Sequence, residues 1–145
     1  MIGVAEIMTP RRDLITLPPD ATIAEASRLM SANHIRHIPV VDDSEALVGI
    51  VSHRDILAAT APKAAEPPEG PDSRTIDAVM SRPVMKVDAR VSVLHAGLRL
   101  RALGVGSLAV MADGRLEGIV TDSDYLGVAI NLLEQMDSIE PVERF

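Results

Sequence analysis

The chain has 145 residues, 47% of them hydrophobic and 24% charged, with a formal net charge of −7 at pH 7. That is a globular composition, and the acidic balance argues against non-specific binding to nucleic acid or acidic membranes, which needs a basic field. Cysteine and tryptophan are absent and there is one Tyr and one Phe, which excludes disulfides, thiolate metal sites and Cys nucleophiles and leaves no stacking platform for single-stranded nucleic acid.

In chain order, residues 1–13 contain no apolar signal-peptide core, and no run reaches the roughly 18 apolar residues of a membrane helix. A cytoplasmic location is the default expectation. Val4-Ala5-Glu6-Ile7-Met8-Thr9-Pro10 leads into a short extended piece at 14–17. A helix is predicted over 23–33, with Thr22 as N-cap and Glu25 three residues later completing a capping box. The strand predicted at 37–41 is nearly all apolar, and the turn Asp42-Asp43-Ser44 leads to a second apolar strand at 47–51. A helix starts just after Ser52. Residues 61–74 then carry Pro62, Pro67, Pro68, Gly70 and Pro71, breakers that end regular structure and mark a semi-stiff linker.

The same order then begins again. Ile76-Asp77-Ala78-Val79-Met80-Ser81-Arg82-Pro83 resembles the opening segment, and an extended piece at 84–87 follows. Ser92 is expected to cap a helix reaching about Leu103, with Gly104 as its C′ residue. Strands are predicted at 107–111 and 116–120 around the hairpin signal Asp113-Gly114, and a last helix at about 123–136. Gly49-Ile50-Val51-Ser52-His53-Arg54-Asp55 is matched by Gly118-Ile119-Val120-Thr121-Asp122-Ser123-Asp124. The offset falls only from 72 residues at Met8/Met80 to 69 at Gly49/Gly118.

The chain therefore reads as α/β (α+β): two β-α-β-β-α units, residues 1–60 and 75–137, joined by the 61–74 linker and followed by a tail at 138–145. A unit of about 60 residues buries too little surface to be robust alone. Two sheets packed face to face cover each other's bare apolar side.

Ser52-His53-Arg54-Asp55 has two readings. Ser52 stands where backbone N–H groups come free at a helix start, suited to a phosphate; Asp55 could accept from ribose hydroxyls, and Arg54 or His53 could offset phosphate charge. The same residues also spell a capping box. The duplicate Thr121/Asp124 leaves both readings open, because caps duplicate too. The second unit has Ser123 where the first has Arg54, and Asp122 and Asp124 make that helix start acidic. On the binding reading, a phosphorylated ligand is expected at the first site, with weak, less anionic or no binding at the second. Which site Arg11, Arg12, Lys86 and Arg90 serve is left open. The last helix carries Tyr125, Val128, Ala129, Leu132, Leu133 and Met136 at helical spacing, expected as core first and interface second. His34, His37, His53 and His95 have no metal-ligand spacing, and no catalytic motif is present.

Met-Thr-Pro near the start, His-Ile-Pro-Val in the middle and Gly-Ile-Val-Ser/Thr-x-x-Asp before the last helix, in that order and twice over, resemble a tandem pair of CBS domains, the arrangement called a Bateman module. The resemblance covers roughly residues 4–60 and 76–135. It implies pseudo-twofold packing with two clefts for AMP, ADP, ATP or S-adenosylmethionine, and regulation rather than catalysis. It further implies a homodimer and an effector protein as partners, with no nucleic acid and no membrane. By resemblance Thr9, His37, Ile38, Pro39, Ser52, Arg54 and Asp55 form the first site, with Asp55 on ribose, Ser52 on phosphate and the backbone beside Pro39 on adenine. Ser81, Leu108, Ala109, Thr121 and Asp124 form the second, where Ala109 replaces the proline. A ligand-free dimerisation scaffold is the alternative. An enzyme fragment, as where such pairs sit inside IMP dehydrogenases, is not expected.

Overall fold

The computed structural model describes residues 1–61 and 72–139. Most of the expected linker and the end of the expected tail lie outside the described residues. In each unit the main helix begins on a hydroxyl cap and ends on a left-handed residue. Helix α1 (Ile23–Asn33) starts where Thr22 Oγ1 accepts the Glu25 N–H at 3.1 Å, and stops at His34, φ 53°. Only that half of the expected capping box is formed; no return bond from the Glu25 carboxylate is present. Helix α3 (Val93–Leu103) starts where Ser92 Oγ accepts the His95 N–H at 3.0 Å and stops at Gly104, φ 65°. Each buries one stripe: Ile23, Ala26 and Met30 in α1, Ala96 and Leu100 in α3.

The strands match pair for pair. In the first unit β2 (His37–Val41) runs antiparallel to β3 (Leu47–Ser52), with a bulge between Val40 and Val41; in the second, β5 (Ser107–Ala112) runs antiparallel to β6 (Arg115–Thr121), with a bulge between Val110 and Met111. Asp113 and Gly114 both have positive φ, 51° and 77°, as a two-residue hairpin turn requires. The extended pieces form less strand than expected. In the second unit β4 (Lys86–Asp88) lies parallel to β5, whereas in the first only Leu17 bridges Val40. Helix α2 (His53–Thr60) follows β3 and α4 (Asp122–Ile139) follows β6.

The opening segments are exchanged between the units. Strand β1 (Thr9–Pro10) pairs with β6 of the second unit, and Ser81 bridges Ile50 of the first. Val4 N–H donates to the Val91 carbonyl and Ile76 N–H to the Ala21 carbonyl, both at 2.8 Å. Val4, fully buried, belongs to the core of Val87, Ala96, Leu100, Leu108, Val110 and Val120; Ile76 and Met80 join that of Ile23, Met30, Ile38 and Val51. Each fully buried Val or Ile contributes roughly 1.5–3 kcal/mol, so each core depends on the other unit's opening segment.

The exchange explains why the Met and Gly motifs recur together. A Cβ on Gly49 would stand 2.5 Å from Met80 Sδ, and one on Gly118 would collide with the Thr9 carbonyl and stand 2.7 Å from Met8 Sδ. Between the two cores lies a third apolar cluster, Val41, Ile50, Ala109, Leu116 and Ile119, where the sheets face each other.

Helix α4 corrects one expectation. Tyr125 is partly buried, its hydroxyl donating to the Val93 carbonyl at 2.6 Å, and Val128 is partly buried. Ala129, Leu132, Leu133 and Met136 are exposed. At 1.5 Å per residue the helix is about 27 Å long, and every residue from Ala129 to Ser138 is exposed. Among the described residues no helix is long and apolar enough to cross a membrane.

Candidate functional site

A cleft of about 720 Å³ opens between the units where β3 ends and α2 begins. The local cause is the Ser52 turn. Ser52 is extended (φ −106°, ψ 161°), its Oγ accepts the Asp55 N–H at 3.0 Å, and Asp55 Oδ2 accepts the Ser52 N–H at 2.8 Å. The capping box is therefore present. It does not exhaust Asp55, because a carboxylate has about four acceptor positions. Ser81 Oγ lies 3.4 Å from each Asp55 oxygen, brought across by the exchanged segment.

His37, whose strand partner is Ser52, lines the same cleft. Burial, the largest influence, pushes the His37 pKa below its ordinary value; Asp122 and Asp55 pull the other way, and Arg36 and His53 add to the lowering. His37 abuts the second unit: a Cβ on Gly106 would stand 2.9 Å from His37 Nε2 and 3.8 Å from Asp122 Oδ2. The walls carry three guanidinium groups, Arg36, Arg54 and Arg82, against two carboxylates, Asp55 and Asp122. The apolar lining comes mainly from Ile50, Pro83, Val84 and Met85.

Of the residues expected at the first site, His37, Ser52, Arg54 and Asp55 are brought together in this cleft. Ile38 and Pro39 lie beneath it as fully buried core, and the Pro39 carbonyl accepts the Leu17 N–H at 3.1 Å. Thr9 and Ser81 have changed places relative to the sequence grouping. Ser81 faces Asp55, while Thr9 pairs with Ile119, two residues before Thr121. The reason is the exchange of opening segments.

At the second position the Asp124 carboxylate accepts the Thr121 N–H at 2.8 Å. Burial raises the Asp124 pKa, and Asp122 adds to the rise against the two Thr121 hydrogen bonds. Leu108 and Ala109 are fully buried, so their side chains serve the core. The four cations left open by the sequence stand outside the first cleft: Arg11 is 3.7 Å from Glu45, Arg12 is 4.0 Å from Asp13, Arg90 is 2.9 Å from Asp88, and Lys86 lies in β4. Among the described residues no group of three or more His, Asp or Glu could hold a metal ion.

Sequence reasoning missed Arg82, Gly106 and, above all, Asp122 as walls of the first unit's cleft. Asp122 was read only as part of the second helix start. The available signal was the pseudo-twofold itself, which brings each unit's helix start toward the other's.

The model of the CBS domain matches residues 4–61 and again 76–131. Over 131 residues the chain is 35% identical to a 33.4 kDa protein from a ribosomal RNA operon of Thermofilum pendens, an alignment covering 86% of this chain and 43% of that protein. The chain thus spans less than half the length of that relative. A Vibrio cholerae structure provisionally named an acetoin utilization protein (AcuB) superposes with a TM-score of 0.83 at 36% identity, covering 94% of this chain and 98% of that one. The CBS domain pair of protein MJ0100, solved with 5′-methylthioadenosine and S-adenosyl-L-methionine, superposes with a TM-score of 0.77 at 26% identity, covering 90% and 98%. With two matched units, exchanged opening segments and a cleft between them, the chain belongs to the CBS domain family as a tandem pair.

Proposed function

We propose that the cleft at Ser52–Asp55 binds an adenosine-containing ligand bearing phosphate, AMP in type, and that the chain is a regulatory sensor rather than a catalyst. The observation that carries this reading is the setting of Asp55. Its carboxylate has the Ser81 hydroxyl 3.4 Å away and shares the cleft with His37, with one oxygen engaged by the Ser52 N–H and acceptor capacity left over. A pair of ribose hydroxyls fits that capacity, and hydrogen bonds to a charged acceptor are worth about 1.5–3 kcal/mol. The apolar wall of Ile50, Val84 and Met85 suits a purine ring, and Arg36 and Arg54 suit a phosphate. The adenosine compounds held by the MJ0100 pair support the same ligand class.

The output passes through a second copy or another protein. Helix α4 exposes Leu126 at 63%, Ile130 at 47% and Leu133 at 58%. They are spaced four and three residues apart on one face, which favours a homodimer built on this helix. Ligand binding acts on that assembly only so far as its affinity differs between two states.

A thermal-melt screen against AMP, ADP, ATP, GMP and S-adenosylmethionine tests the reading. A ligand at 100 times its Kd stabilises by about 2.7 kcal/mol, a shift of several degrees. Adenosine compounds should give that shift, GMP should not, and Asp55→Ala should abolish it. An undiminished shift in Asp55→Ala sinks the site assignment; no shift with any compound at millimolar concentration leaves only the dimerisation scaffold.

A further inference from the structure

We propose that Asp122, carried by the second unit, limits the phosphate chain of the ligand held in the first unit's cleft, so that an adenosine monophosphate is preferred to the triphosphate. The inference rests on the adenosine reading above and adds the residue that selects within that ligand class.

Neighbour contacts link the lining residues of the cleft in a chain. At one end are Ile50 and Val84, both part of the apolar cluster between the sheets. Ser81 comes next, bridged to Ile50, and its hydroxyl reaches Asp55. His37 pairs with Ser52 in the strand register, and it abuts Gly106 beside Asp122. A base at the apolar end and a ribose at Asp55 direct the 5′ substituent toward this far wall. The first phosphate meets Arg36 and Arg54 there. Arg82 turns back instead, its Nη2 donating to the Asp77 carbonyl at 3.2 Å.

Each further phosphate extends toward the second unit's Gly106 loop, where Asp122 is the carboxylate of the wall; Arg82, the second unit's other charged wall residue, is tied to the Asp77 carbonyl. The Asp122 N–H donates to the Gly106 carbonyl at 3.1 Å, which fixes this helix start against the loop that His37 touches. His37 does not neutralise it at neutral pH, because burial keeps the imidazole uncharged. In the first unit the same helix position is His53, and there is no carboxylate until Asp55. The selecting charge therefore comes from across the pseudo-twofold.

Calorimetric titration of the full chain with AMP and with ATP tests this. EDTA is present throughout, since Mg²⁺ would bridge a polyphosphate to the carboxylate. The wild type should bind AMP more tightly than ATP, and Asp122→Asn should shrink that preference by about tenfold, as removal of one carboxylate charge beside a growing anion would. Asp122→Ser is the second variant, and circular-dichroism melts establish that both are folded. An unchanged preference in the folded variants, or a wild type that prefers ATP, overturns the proposal. A wild type that binds neither nucleotide instead overturns the adenosine reading, and this inference with it.

Discussion

Ser52-His53-Arg54-Asp55 and Thr121-Asp122-Ser123-Asp124 occupy the same place in their units and are held by matching bonds. The second residue of each donates its N–H to the residue just before the first strand of its hairpin, His53 to Arg36 at 2.8 Å and Asp122 to Gly106 at 3.1 Å. The first residue of each donates its N–H to the fourth, at 2.8 Å in both. What differs is the hydroxyl and the charge: Ser52 Oγ accepts the Asp55 N–H at 3.0 Å, whereas Thr121 Oγ1 donates to Asp124 Oδ2 at 3.4 Å. The first start lines its cleft with His53 and Arg54; the second replaces them with Asp122 and Ser123, and burial together with Asp122 makes the Asp124 carboxyl harder to ionise. The backbone must repeat, because two sheets close on each other only if their caps, bulges and exchanged segments match. Side chains that face the clefts are under no such constraint. Ligand preference is therefore expected to lie where the two copies diverge.

The largest effect should come from the two motif glycines. Gly118→Ala places a methyl against the Thr9 backbone carbonyl, which moves only if β1 leaves β6; Gly49→Ala meets the flexible Met80 side chain. Overpacking costs typically about 1–3 kcal/mol and a methionine yields readily. Urea denaturation should show Gly118→Ala losing about 3 kcal/mol and Gly49→Ala nearer 1. Equal losses would mean that Met8 and Met80, rather than the Thr9 carbonyl, set both costs.

The two carboxylates should separate next. Asp55→Ala should weaken AMP binding by roughly 10- to 100-fold, the loss of hydrogen bonds to a charged acceptor. Asp124→Ala should leave AMP affinity within about threefold and stoichiometry at one per chain, since the second helix start carries no cation. Two AMP bound per chain, with each variant losing one, would show that the copies are functionally alike.

The smallest effect compares His37 with its counterpart Ser107. Burial lowers the His37 pKa below its ordinary 6.5 while Asp122 and Asp55 oppose and Arg36 and His53 assist. The unfolded chain therefore binds more protons than the folded one near that pH, so stability rises with pH there. The His37 contribution is complete above about 6.5 and is lost as pH falls from that value toward the folded pKa. Chemical denaturation of wild type and His37→Gln across pH 5–8 should show the variant with the flatter profile; parallel profiles would mean His37 does not titrate differently on folding.

The local structure of each unit is legible in short stretches of neighbouring residues. The caps at Thr22, Ser92 and Ser52, the left-handed stop at Gly104 and the hairpin at Asp113-Gly114 each depend on a few adjacent residues. The repeat and its motifs likewise identified the family, and the Ser52/Asp55 pair was legible as a cap and as a site because both use the same bonds. Which unit each opening segment joins is settled by packing between the units. Val4 and Ile76 are nearly interchangeable apolar residues, and two similar cores offer them similar burial energy. The pattern along the chain is thus degenerate between packing at home and packing across, and only the closure of both sheets settles it. That closure carries Ser81 to Asp55, Thr9 to β6 and Asp122 to His37. The cleft is made of contacts between units, which the spacing within either unit does not encode.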